Sequence, residues 1–421
     1  EEVYTSIGSY VVTGDITGAI EAFETLNRLK PEDPETKNAY VKLLLAAGKL
    51  EEAEKIISEI LEEHPDNPGA YFNRALLCAL TKDSEGRETS LLKVLEADPT
   101  FPGVHALLGE LSMERKDYAT AEEYFSAGLA LNPGDPLLHA ALAGLYRRRG
   151  DLVQALEHLD EALELDETFS FAYADRAAVK LALDDFSGAE EDYTKALEYD
   201  SDFSWHYIDR AKVYLRSRRL EEALSDLDRA IVLDPEQVYP YILRAGVRDE
   251  TDRLSGALED YLVVLEKRPK YYFAYEPAAL LLFMEQRWEE AEDLFVKAYP
   301  YARDRWEFLL LAGLCRLRRG ADAKSYFEEQ LSGMPRDSLL YQVSRVFLEP
   351  GYEARAVHMV QQGGRSPEAV QALFYLAQYF LISGSETTAL HYFLQVEERK
   401  EYGLIETRLA KAERVRISDI F

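Results

Sequence analysis

His105 and His139 stand 34 residues apart, and two imidazoles at a fixed interval are the start of a metal site. A structural or catalytic zinc takes three or four protein ligands, and the remaining histidines of the seven are scattered. Neither a phosphate-cradling glycine loop nor a G-x-S-x-G nucleophile turn occurs. Carboxylate pairs carry no weight as acid–base dyads in a helical chain with 77 Asp and Glu. No residue is assigned a catalytic, metal-binding or cofactor role, and the chain reads as a non-enzyme. More regular chemistry lies in arginine. Arg176, Arg210 and Arg244 recur every 34 residues, matched by Asp192, Asp226 and Asp260. Where Leu108 or Leu142 replaces the arginine, Tyr124 or His158 replaces the aspartate; Arg74, matched by Ser90, is the exception. A charge that changes together with its partner predicts a partly buried ion pair, within one unit or between neighbours. The guanidinium fork can meet a carboxylate bidentately while its stem packs on apolar neighbours.

Two aromatic columns share that period. Phe171, Trp205, Tyr239 and Phe273 form one, and Tyr71, Tyr173, Tyr207, Tyr241 and Tyr275 the other. The elements that must carry them follow from other in-phase residues. Pro31, Pro65, Pro99, Pro133, Pro235 and Pro269 are separated by multiples of 34. Ala19, Ala53, Ala121, Ala155, Ala189, Ala223, Ala257 and Ala291 keep the same phase, broken only by Arg87. Each unit holds two segments of helical periodicity, such as AYADRAAVKLAL and SGAEEDYTKALEY. Small residues fit where two helices approach closely. Gly14, Gly48, Gly150 and Gly320 suit a left-handed helix end, and the prolines stop the second helix. No single pair buries its apolar stripe alone, whereas stacked neighbours do.

This pattern resembles the tetratricopeptide repeat family, whose unit is a 34-residue helix-turn-helix. The expected fold is all-α, a right-handed superhelical solenoid of stacked antiparallel helix pairs. A tandem array is expected over residues 1–335 and divergent helix pairs over 336–421, about eleven pairs in all. Ala323, Phe327 and Pro335 arrive two residues early, Pro350-Gly351 breaks a degenerate pair, and ETRLAKAERVRI reads as a solitary capping helix.

The resemblance implies that first helices line a concave wall, with their second, fifth, sixth, ninth and twelfth positions toward the groove. Phe171, Trp205, Tyr239 and Phe273 are then either a ladder gripping a partner or wedges between units. The tyrosine column reads as core. Polar residues expected on the wall include Asn38, Lys42, Asn73, Glu110, Arg147, Glu276, Asp175, Asp209, Lys212 and Arg216. Asn38, Lys42 and Asn73 match part of a carboxylate-clasping set, but Gly103 and Leu107 stand where its other cations belong, so no clamp is assigned. Asp175 and Asp209 suggest a mildly acidic wall able to meet a basic segment. The basic clusters at 147–149, 216–219 and 316–319 end first helices, where cations complement the helix dipole.

The 421 residues carry 48 Lys and Arg against 77 Asp and Glu, a net charge of −29. That balance argues against a nucleic-acid partner and favours solubility. No apolar run is long enough to span a membrane, and two cysteines make no disulfide framework. The chain starts EEVYTSIGSY, without Met and in a helical pattern, so upstream residues, with a signal or lipid anchor among them, are expected to be missing. The compartment stays open between cytoplasm and periplasm. The expected function is a scaffold holding a peptide or protein in its groove. The alternatives are a periplasmic carrier of a small apolar ligand and a self-associating assembly factor.

Overall fold

The computed structural model describes residues 16–29, 33–364, 366–401 and 403–418. Gly14, Pro31 and the opening EEVYTSIGSY lie outside them. Among the described residues there are α-helices and short 3-10 turns, and no strand. Contacts cluster into two bodies that meet in sequence at Ser201 and Asp202.

The N-terminal body contains α1 (Ile16–Leu29), α2 (Pro34–Ala46), α3 (Leu50–Glu63), α4 (Pro68–Thr81), α5 (Ser84–Ala97), α6 (Val104–Glu114), α7 (Tyr118–Leu131), α8 (Pro136–Arg149), α9 (Leu152–Leu165), α10 (Ser170–Ala182) and α11 (Phe186–Tyr199). The C-terminal body continues with α12 (Ser204–Arg216), α13 (Leu220–Leu233), α14 (Tyr239–Glu250), α15 (Leu254–Lys267), α16 (Tyr275–Met284), α17 (Trp288–Ala298), α18 (Glu307–Arg318) and α19 (Lys324–Gly333). After these come α20 (Leu339–Ser344), α21 (Glu353–Gln362), α22 (Pro367–Ile382), α23 (Glu386–Glu398) and α24 (Ile405–Ser418). Within each body the helices pair and stack in chain order.

The phase alanines from Ala19 to Ala291 are all fully buried. The first helix contributes a small residue of its own at the crossing: Ala177, Ala211 and Ala245, or Gly109 and Gly313. A Cβ on Gly313 would lie 2.5 Å from the Phe327 ring, closer than any carbon pair tolerates. Second helices end just before Pro65, Pro99, Pro133, Pro235 and Pro269, whose rings cannot continue them. Pro34, Pro68 and Pro136 open the next first helices, where a missing N–H costs nothing.

The turn inside each pair is more uniform than its glycines suggest. Left-handed backbone occurs at Gly48, Lys82, Lys116, Gly150, Asp184, Arg218, Asp252, Gln286 and Gly320, one every 34 residues. Only three of the nine are glycine. After Gly320 the register breaks: residues 321–323 are non-helical and α19 starts late. Two missing residues therefore shorten the second helix at its first turn, which is why Ala323 and Phe327 arrive early yet remain buried.

The last helix does more than close the end of a stack. α24 packs on α22 and α23 and also on α16. Arg408 on α24 forks onto Asp249 on α14, with Nη1 2.9 Å from Oδ2 and Nη2 on Oδ1. Arg318 on α18 reaches Glu413 on α24 at 2.6 Å. Asp249 and Phe283 hold the twelfth position of their first helices, and Phe283 lines one hollow with Leu409 and Glu413, so α24 lies along the C-terminal ends of these helices. α18, packed on α17, α19 and α22, is buried from Glu307 to Cys315, and after Glu307 its sequence, FLLLAGLC, is apolar on every face.

Candidate functional site

The arginine column makes the ion pairs of both kinds. Arg176 donates Nε and Nη2 to Asp192 at 2.9 and 2.7 Å. Arg210 meets Asp226 at 2.8 Å through both nitrogens, and Arg244 meets Asp260 at 2.9 and 2.6 Å. These join first and second helices of one pair. The third nitrogen links to the preceding pair, Arg176 Nη1 to Asp160 at 2.7 Å and Arg244 Nη1 to Asp228 at 2.5 Å. All three central aspartates are buried. Arg74, lacking an aspartate, settles on Glu54 and Ser58 at 3.3 Å. The guanidinium groups of Arg176, Arg210 and Arg244 also lie over the column tyrosine, 5.5 to 5.9 Å from the rings of Tyr173, Tyr207 and Tyr241. These tyrosines and Tyr71 are only partly buried, and Tyr275 alone of the column is in the core.

His105 and His139, which fill the tyrosine column between Tyr71 and Tyr173, do not meet. His139 Nδ1 lies 3.2 Å from His158 Nδ1, and burial followed by the neighbouring His139 lowers the His158 pKa. His105, His139 and Tyr275 share one contact, each reaching the carbonyl of the proline six residues before it at 3.3, 3.4 and 2.5 Å. Among the described residues no cluster of three or more His, Cys, Asp or Glu could hold a metal.

The other aromatic column stands out from the packing. Phe171 is 47% exposed, Trp205 42%, Tyr239 38% and Phe273 65%. In the C-terminal body the rings of Trp205 and Tyr239 lie 6.3 Å apart, and Lys212 Nζ sits 5.0 Å over Tyr239. Phe273 belongs to a 3-10 turn, Tyr272–Ala274, that precedes α16. Pro277 has no N–H for the Phe273 carbonyl, so the α-helix cannot start earlier. There Phe273 packs on Tyr272 at 4.1 Å, which stacks on Tyr301 at 4.8 Å. Within the C-terminal body, Trp205, Tyr239 and Phe273 are left exposed, and α24 lies toward the opposite ends of α14 and α16.

Most wall residues of charge are already engaged. Asp175 pairs with Arg147 at 3.3 Å, Asp209 with Lys212 at 2.8 Å, and Glu276 with Arg305 at 2.6 Å. Arg216 ends α12. Glu110 is 3.7 Å from Arg87, the residue that breaks the alanine series. Asn38 and Asn73 form a ladder, Asn73 Nδ2 donating to the Asn38 carbonyl at 3.0 Å, and Lys42 lies over Phe72 at 5.8 Å. The basic helix ends tie back to second helices: Arg149 to Glu122 at 2.6 Å, and Arg316 and Arg319 to Glu292 at 2.6 and 2.8 Å. A cleft of 610 Å³ opens beside Tyr239, between the start of α14 and the end of α15. Column reasoning missed its basic rim, Lys267 to Lys270, because it lies in the turn between pairs. The available signal was three cations in four residues of an acidic chain.

Tetratricopeptide repeat models match residues 13–76, 90–145 and 112–175, and 175–238 and 208–272. Among similar solved structures, the APC/C hetero-tetramer Cut9–Hcn1 aligns at 13% identity and a TM-score of 0.51, over 66% of this chain and 55% of that one. A tetratricopeptide repeat protein from Parabacteroides merdae aligns at 20% identity and a TM-score of 0.46, over 58% of this chain and 97% of its own. PilW, a widely conserved type IV pilus biogenesis factor, aligns at 16% identity and a TM-score of 0.46, over 51% and 98%. At such identities the likeness is one of fold. No curated protein matches the chain.

Proposed function

This chain belongs to the tetratricopeptide repeat family, and from that premise we propose that it is a non-catalytic scaffold gripping a partner protein or peptide along its exposed aromatic column. Members of the family bind proteins or peptides, and no helix among the described residues is long and apolar enough to cross a membrane. The observation that carries the reading is the exposure of Phe171, Trp205, Tyr239 and Phe273 on a frame braced by buried ion pairs. Aromatic rings supply large contact area at little entropic cost and dominate binding hot spots. A rigid stack presents them without ordering on binding. The net charge of −29 draws in partners with basic segments at long range. With Asp175 and Asp209 held by Arg147 and Lys212, that attraction belongs to the whole surface more than to these two. A carrier of a small apolar ligand would want an enclosed pocket beside the column. The cleft there is bordered by exposed Arg268, Pro269 and Lys270, which suits a protruding peptide side chain better.

The test is affinity capture with the wild-type chain and with Trp205→Ala plus Tyr239→Ala. Both side chains are exposed enough that helicity should not change. Partners retained by the wild type are expected to be lost from the double variant. Retention of every partner would dismiss the aromatic column as a grip.

A further inference from the structure

We infer that the cleft between the first turn of α14 and the end of α15 docks an acidic peptide segment that inserts one apolar side chain. The floor is apolar, made by Val238, Tyr239, Ile242, Pro269 and Tyr271. The rim is cationic: Lys267, Arg268 and Lys270. In a chain of charge −29 this is a local reversal of sign. Lys267 is held by Glu236 at 2.7 Å. Arg268 and Lys270 are exposed, and among the described residues no carboxylate lies within ion-pair distance of either. Two unpaired cations flanking a greasy cleft complement a segment of opposite charge with an apolar anchor. The volume, 610 Å³, accommodates a large side chain together with flanking backbone.

Two other anionic occupants fit less well. A bilayer is met by protruding apolar rings, whereas this site is concave. Nucleic acid needs a basic stripe along many phosphates, not three cations in one turn. The site shares Tyr239 with the aromatic column, so the inference rests in part on the scaffold reading. Trp205 does not line the cleft, which lets the two be separated.

The test uses the full chain and the fluorescence anisotropy of labelled synthetic peptides of about ten residues, a length such grooves commonly hold. The probe has Asp and Glu around a central Phe; one control replaces Phe with Ala and another replaces the acids with Lys. The probe is expected to bind, both controls to bind markedly less, and added salt to weaken the probe. Arg268→Glu plus Lys270→Glu, both on exposed turn residues, should lower affinity by at least about tenfold through like-charge repulsion. Trp205→Ala should leave it unchanged, whatever that substitution does to partners of the column. Equal binding of the Lys peptide, or indifference to the charge reversal, overturns the inference. Binding to phosphatidylserine vesicles with none to the probe also overturns it, in favour of a membrane.

Discussion

Glu406 offers a test of how the C-terminal body is held together. It lies on α24, fully buried. Its Oε1 accepts from Gln371 Nε2 at 3.2 Å and from the Tyr375 hydroxyl at 3.4 Å, while Oε2 has no hydrogen-bond partner among the described residues. Burial, and then the nearby Glu307 carboxylate, push its pKa from 4.5 up to about 8. The folded chain therefore keeps a proton that the unfolded chain gives up near the ordinary value. Stability must fall as pH rises between those two points and level off above the upper one. One pKa unit corresponds to about 1.36 kcal/mol, so the deficit is roughly 3 kcal/mol at pH 7 and approaches about 5 kcal/mol above pH 8. Glu406→Gln keeps the shape and removes the ionisation. Near pH 5 the variant should match the wild type, and near pH 8 it should be more stable by roughly 3–5 kcal/mol. Urea unfolding followed by tryptophan fluorescence is the assay. Trp205, Trp288 and Trp306 are the three tryptophans of the chain and all follow Ser201, so the signal reports the C-terminal body alone. Equal pH dependence in the two proteins would refute the reasoning.

Five further outcomes are checked by thermal unfolding followed by circular dichroism. Arg210→Ala strands the buried Asp226 carboxylate and should cost about 3–5 kcal/mol; Arg74→Ala, in a pair with a well-exposed Glu54, should cost less than about 1 kcal/mol. Gly313→Ala drives a methyl into the Phe327 ring and should cost about 1–3 kcal/mol, whereas Gly144→Ala meets nothing within 4 Å and should gain about 0.5–1 kcal/mol. Lys116→Gly, at φ 61, should stabilise by up to about 1 kcal/mol, because it relieves a left-handed Cβ clash.

The helix pairs were legible because close approach admits only small residues, and the alanine and proline columns record it. The arginine–aspartate pairing was legible because the two residues change together. The turn was underread: Lys82, Lys116, Asp184, Arg218, Asp252 and Gln286 take the glycine conformation under the constraint of packing on both sides, which leaves no mark on residue type. The place of α24 was not legible either. Asp249 and Arg408 are separated by 159 residues and obey no period. α18 carried a different signal: a first helix apolar along most of its length must be covered on its inner face too, and α22 packs on it. Of the candidate site, the aromatic column followed from periodicity, while the basic cleft fell between columns.

The clasp of Arg408 on Asp249, with Arg318 on Glu413, changes how the residues after Ser201 should come apart. An array whose bricks touch only their neighbours can fray from a free end, one brick at a time. Here the final helix cannot leave without uncovering α16 and breaking the ion pair to α18, far back in the chain. Under mechanical load that body should give way in a single large event, and its amides should exchange with solvent together, not in a gradient from the terminus.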